Sequence, residues 1–270
     1  MMNPQRVSYC LLHLVVAAIC CATSNADVVF SNDFETDTAG FAPGGSITAL
    51  NTFSLPTDGG GLASANQSKW LGRLGLGVPK SGSIDEIVTL NLTGLAAGQT
   101  YLVAFDLLIG GSWDGSALGF GADSWRFAVD GVRKVNTTFT NGNAGQEYGA
   151  YSPQRYSDTT FNSLTGPDFG KFTGADAFFT TGGGNYAQHY GIYRFGRGAG
   201  NPMLSFVATD SDVLLEFARF GNTTDDAGEY WALDNVLIST AVPEPTSGVL
   251  LVSAVTCALA SRRRSRMIRT

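Results

Sequence analysis

TYLVAFDLLIG, Thr100–Gly110, is the stretch on which the fold turns. Tyr101, Val103, Phe105, Leu107 and Ile109 fall two residues apart, so an extended backbone points all five to one side. Helical spacing scatters them around the axis. The same alternation recurs outward along the chain. It aligns Val88, Leu90 and Leu92 in DEIVTLNLTGL, Trp125, Phe127 and Val129 in SWRFAVDG, and Val213, Leu215 and Phe217 in DVLLEFARF. With DVVFSNDFE, MLSFVAT and YWALDNVLIS, at least seven strands are predicted, separated by turn signals such as Ala97-Gly98 and Asp130-Gly131. Many one-faced strands without a long helical period predict an all-β, antiparallel β-sandwich over residues 27–240.

The last strand carries an irregularity. Trp231 and Leu233 share one parity, while Val236 and Ile238 share the other. A one-residue slip at Asp234-Asn235 reconciles them and predicts a β-bulge there. Residues 141–201, rich in Gly, Asn and Tyr with little alternation, read as long loops framing one edge.

The two ends read as addresses. Residues 1–26 hold Arg6, an apolar stretch from Tyr9 to Ala22 and the small-residue site Ser24-Asn25-Ala26, the pattern of a secretory signal peptide with its signal helix. Residues 241–270 hold Val242-Pro243-Glu244-Pro245, an apolar run from Thr246 to Ala260 and the basic cluster Arg262, Arg263, Arg264 and Arg266. As a helix that run is about 22 Å long against a hydrocarbon core of about 30 Å. Snorkelling arginines make up the difference, so a short transmembrane helix is expected. Arginines held inside place the domain outside.

Cys10, Cys20, Cys21 and Cys257 all lie in these end segments, leaving none in the middle. Thiol catalysis and zinc–thiolate sites are thereby excluded there, and an exported domain without disulfides depends on its core. Between residues 27 and 241 stand 11 Lys and Arg against 22 Asp and Glu, a net of −11. That balance repels phosphate backbones, so nucleic acid is not an expected partner.

The tail, with Val242-Pro243-Glu244-Pro245, the apolar segment and the arginine cluster in order, resembles the PEP-CTERM sorting signal of bacterial surface proteins. The resemblance implies recognition by an exosortase-type processing enzyme and at least transient anchoring in the inner membrane. SWDG (Ser112–Gly115), DSWRFAVDG (Asp123–Gly131), TTFTN (Thr137–Asn141) and YWALDNVLI resemble a jelly-roll domain common in proteins with this tail. That domain is similar in layout to galactose-binding-like and laminin-G-like sandwiches. First and last strands of jelly rolls lie side by side, so Asp33 or Glu35 is expected to approach Asp234, an oxygen set suited to a structural Ca²⁺.

Trp113, Asp114, Asp123 and Trp125 fall within 13 residues. Aromatic faces stack on sugar rings and carboxylates accept from sugar hydroxyls, so Trp113, Asp114 and Asp123 form a candidate carbohydrate site. Trp125 shares core parity, whereas Trp113 is the tryptophan expected to be exposed; Tyr148, Tyr151 and Tyr156 are candidates for its rim. His189 is the one histidine between the two end segments, and no nucleophile elbow accompanies it. The paired-glutamate strand motif of sandwich glycosidases is missing from SIDEIVTL. The expected role is therefore noncatalytic, as a structural or adhesive component of the cell surface or extracellular polysaccharide matrix. The alternative is a calcium-dependent carbohydrate-binding module, with a glycoside hydrolase third.

Overall fold

In the computed structural model, the described residues are 26–55, 68–75, 83–111, 113–116, 123–141, 153–180, 189–197, 200–222 and 229–241. Residues 1–25 and 242–270, which hold nearly all of the expected signal peptide and sorting tail, lie outside them, as do Tyr148 and Tyr151. Among the described residues thirteen strands run from β1 to β13: Val28–Asn32, Phe41–Gly45, Thr52–Ser54, Lys69–Leu74, Ser83–Leu92, Thr100–Gly110, Ser124–Val129, Val132–Thr138, Ala177–Thr180, His189–Phe195, Leu204–Val207, Val213–Asn222 and Tyr230–Thr240. No helix occurs among the described residues. All strand pairings are antiparallel. The first sheet has the order β3-β4-β13-β6-β10-β9, with β1 added to β13 and β11 to β6; the second has the order β2-β5-β12-β7-β8. The chain is thus all-β, with two antiparallel sheets in a sandwich-like arrangement.

The alternating positions do what their period requires. Tyr101, Val103, Phe105, Leu107 and Ile109 from the first sheet meet Val88, Leu90, Leu92, Trp125, Phe127, Val129, Val213, Leu215 and Phe217 from the second in one buried core. Burying each such side chain contributes about 1.5–3 kcal/mol, which is how a domain without disulfides stays folded. Phe105 stacks at 4.8 Å on Phe195 and meets Phe217 edge-on at 5.3 Å, knitting the two sheets at mid-core.

Strand β6 carries a second apolar layer. Leu108, one step out of phase with Leu107 and Ile109, packs on the outer face with Trp70, Tyr190, Ile192, Tyr230 and Ala232. This explains why 141–201 did not read as strand. The segment contains β9 and β10, and β10 buries Tyr193 and Phe195 on one side and Tyr190 and Ile192 on the other. A strand covered on both faces shows no polar alternation. The expectation of loops throughout 141–201 is corrected accordingly.

β1 lies beside β13, with Phe30 opposite Ile238 and Asn32 opposite Val236. The register of β13 against β6 shifts between Asp234 and Leu237, and Asn235 adopts a left-handed φ of 53°. Trp231 and Leu233 before the bulge, and Val236 and Ile238 after it, all reach the same core. The slip read from parity is present.

Candidate functional site

Two strands, and the residues leading into two others, each place one charged residue a single step beyond a buried apolar row. Glu86 precedes Val88 on β5, Arg219 follows Phe217 on β12, and Glu229 lies just before β13, two residues ahead of Trp231. Asp123 likewise lies two residues ahead of Trp125, just before β7. Because period two keeps them on the inward face, all four enter the same end of the sandwich. Each is at least 97% buried.

Arg219 is the hub. Its Nη2 donates to Asp123 Oδ1 at 2.8 Å and to Glu229 Oε2, and its Nη1 lies 3.6 Å from Glu86 Oε1. Trp231 Nε1 donates to Glu86 Oε2 at 3.0 Å, and the Asp114 amide donates to Asp123 Oδ2 at 3.1 Å. Burial works against the guanidinium charge, but the carboxylates of Asp123, Glu229 and Glu86 outweigh it and hold Arg219 above its ordinary pKa. Asp114, Asp123 and Glu229 place oxygens within 4.8 Å of one another, a spacing a cation could use. Arg219 Nη2 already bonds two of the three, so the group holds an internal cation.

Trp113 is fully buried, not exposed as expected from its Gly-rich setting. The Arg219 guanidinium lies over its ring, 4.7 Å from the centroid, and its Nε1 donates to the Tyr230 carbonyl at 3.1 Å. Tyr156, expected at the same rim, is also buried, with its ring 4.9 Å from Phe139 and 5.1 Å from Tyr193. Trp113, Asp114 and Asp123 are thus brought together, but with Trp113 and Asp123 buried inside the domain and Asp114 half-buried. The signal that identifies the network is a charged residue on an inward parity in, or just ahead of, each of four strands.

Asp33, Glu35 and Asp234 do not form a comparable group. Asp33 is exposed and its Oδ1 accepts from the Glu35 amide at 3.3 Å, while Glu35 Oε1 accepts from the Lys69 amide at 2.8 Å. Asp234 is buried on the outer face of the first sheet, opposite Asp106 in register. Its Oδ1 accepts from the Asn235 amide at 2.6 Å and its Oδ2 from Ser68 Oγ at 3.1 Å. Burial pushes its pKa up to about 7, against those two hydrogen bonds and with a further upward push from Asp106 and Glu35. The geometry offers no oxygen cage for calcium from these three residues. His189 is half-buried at the start of β10, and burial, then Lys171, lower its pKa.

An open cleft of about 500 Å³ lies where the turn after β1 crosses the bulge of β13. Its lining includes Phe30, Asp33, Asp37, Arg197, Asn235 and Val236. The turn is pinned from beneath by Phe34, which is fully buried with a left-handed φ of 57° and whose amide donates to Asn32 Oδ1 at 2.7 Å.

No protein-family model matches the sequence, and no curated protein matches it. Among solved structures, one similar chain is a family GH115 4-O-methyl-alpha-glucuronidase, BtGH115A, with specificity for decorated arabinogalactans. The identity is 11% and the TM-score 0.28 over 80% of this chain, which spans 18% of that enzyme. A likeness of that degree carries no conclusion for this chain.

Proposed function

We propose that the chain is an exported bacterial cell-surface or extracellular-matrix protein with a noncatalytic, structural or adhesive role, delivered outward by its C-terminal tail. The observation that carries the noncatalytic reading is the Arg219 network. A hydrolase needs a carboxyl group that reaches substrate and changes protonation state. Here Asp123 and Glu229 are buried and hydrogen-bonded to a permanent cation. The pairing of first and last strands and the two antiparallel sheets fit the jelly-roll layout that the sequence resembles. The signal segment at 1–26 and the Val242-Pro243-Glu244-Pro245 tail with Arg262, Arg263 and Arg264 are the basis for export, membrane anchoring and an exosortase-type partner.

The experiment is to express the full chain, and a chain ending at Ala241, in a bacterium that carries such a sorting system. Fractionation and intact mass are then read for both. The expected result is surface-associated full chain, shortened beyond about Pro245, and truncated chain released into the medium. Both chains retained in the cytoplasm with Met1 intact overturns the reading. The carbohydrate-binding alternative gains support from the open cleft and not from Trp113, and in its calcium-dependent form it lacks a cage from Asp33, Glu35 and Asp234.

A further inference from the structure

Trp113 was the residue best suited by type to hold a sugar ring, and its burial removes it from any ligand. The groups that remain accessible gather elsewhere, in the cleft between the Asp33–Gly40 turn and the bulge of β13. We propose that this cleft is a binding subsite for one neutral pyranose unit of a polysaccharide, an inference that rests on the adhesive reading above.

Its chemistry is complementary to a polyol. Asp33 and Asp37 are exposed, and each uses Oδ1 to accept a backbone amide of the turn, from Glu35 and from Ala39 at 3.3 and 2.9 Å. Neither Oδ2 has a hydrogen bond among the described residues, so both can accept from ring hydroxyls. Across the cleft Arg197 donates through Nη2 to the Asn235 carbonyl, and its Nε lies 3.8 Å from Asp106 Oδ1. That fixes the guanidinium plane and leaves Nη1 to donate to a ring oxygen or hydroxyl. Between these walls the half-buried ring of Phe30 supplies an apolar surface for the C–H face of the ring.

Size and charge narrow the class. A cleft of about 500 Å³ lies within the usual range of ligand pockets, about 300–1,000 Å³, and suits a ring with its neighbours extending into solvent. Two carboxylates at the mouth of a domain of net charge −11 repel uronates and sulfated sugars, which selects neutral units. Both walls are held by residues with left-handed backbone, Phe34 beneath the turn and Asn235 at the bulge. Such conformations persist where the surrounding structure over-determines them, and here they preset the cleft before any ligand arrives.

The test uses the full chain in a sugar-free detergent. Saturation-transfer NMR is read with methyl glucopyranoside, galactopyranoside and mannopyranoside at about 10 mM, since a one-ring contact falls in the millimolar range. The expected result is transfer to at least one of the three. An Asp33→Asn/Asp37→Asn variant, in which each Asn Oδ1 still accepts its turn amide, should bind at least about tenfold more weakly. Trp113→Phe should bind as the parent does. Equal binding by the double variant, or no transfer from any of the three sugars to the parent, overturns the inference. Neither outcome touches the fractionation experiment, so the cleft can fail while the surface role stands. If the chain stays cytoplasmic, the surface role fails whatever the cleft binds.

Discussion

The guanidinium of Arg219 lies over the indole of Trp113, 4.7 Å from the ring centroid, and both side chains are wholly buried. This contact makes the tryptophan part of a charge-bearing core instead of a platform for ligand. Its other consequence is energetic. A buried guanidinium among carboxylates costs desolvation on every member, and the group is tolerated because each charge faces an opposite one.

Removing the hub should therefore be severe. Arg219→Leu leaves Glu86, Asp123 and Glu229 buried without their shared cation, at an expected cost of about 3–5 kcal/mol. Urea denaturation at pH 7 measures it. A loss below about 1 kcal/mol would show that water reaches these carboxylates in the folded protein.

Trp113 offers a sharper division. Trp113→Ala should lower stability by about 3–5 kcal/mol through the lost volume alone. Trp113→Phe keeps a ring beneath Arg219 and gives up the Nε1 bond to the Tyr230 carbonyl, about 1 kcal/mol. Thermal unfolding of the two variants should separate them clearly, since about 1 kcal/mol shifts the midpoint by about 2–4 °C at this size.

Asp234 predicts an unusual pH dependence. Burial pushes its pKa up to about 7 in the folded protein, from an ordinary aspartate value of 3.8. Between those values the folded state binds a proton that the unfolded state does not, so this group's contribution to stability falls as pH rises from about 4 to 7. The slope from one such group is at most about 1.4 kcal/mol per pH unit. Asp106, opposite in register and also raised by burial, adds in the same direction, while Glu35 faces Asp234 as a further negative charge. Asp234→Asn should flatten the stability profile across this window. An unchanged profile would mean that Asp234 is solvated.

Gly196, which follows β10 and precedes Arg197, has a φ of 69°, and a Cβ there would lie 2.2 Å from the Val103 carbonyl oxygen. Gly196→Ala should cost at least about 1–2 kcal/mol from the left-handed backbone alone, with the clash added. Chemical denaturation reads the loss directly.

Much of this architecture was written locally. The inward rows of β5, β6, β7 and β12 follow from period two, because a strand with one buried face must alternate. The bulge at Asp234-Asn235 was legible for the same reason, since a parity change in an otherwise apolar strand has few other solutions. β10 escaped notice because burial on both faces erases the pattern that marks a strand. The same rows held the charged network in view: Glu86, Asp123, Arg219 and Glu229 each sit on an inward parity, an arrangement that a solvated charge would avoid.

The residue pattern by itself thus determined the strand faces and the all-β class, while the neighbourhood of first and last strands followed from the jelly-roll resemblance. It also determined the freedom from disulfides. Only the tertiary structure decided which polar groups meet. Arg219 finds Asp123 and Glu229, and Trp113 slides beneath it, because two sheets close over residues 10 to 106 positions apart along the chain. Spacing along one strand says which way a side chain points. What it touches depends on how the second sheet lies across the first, and that is set by packing of the whole core.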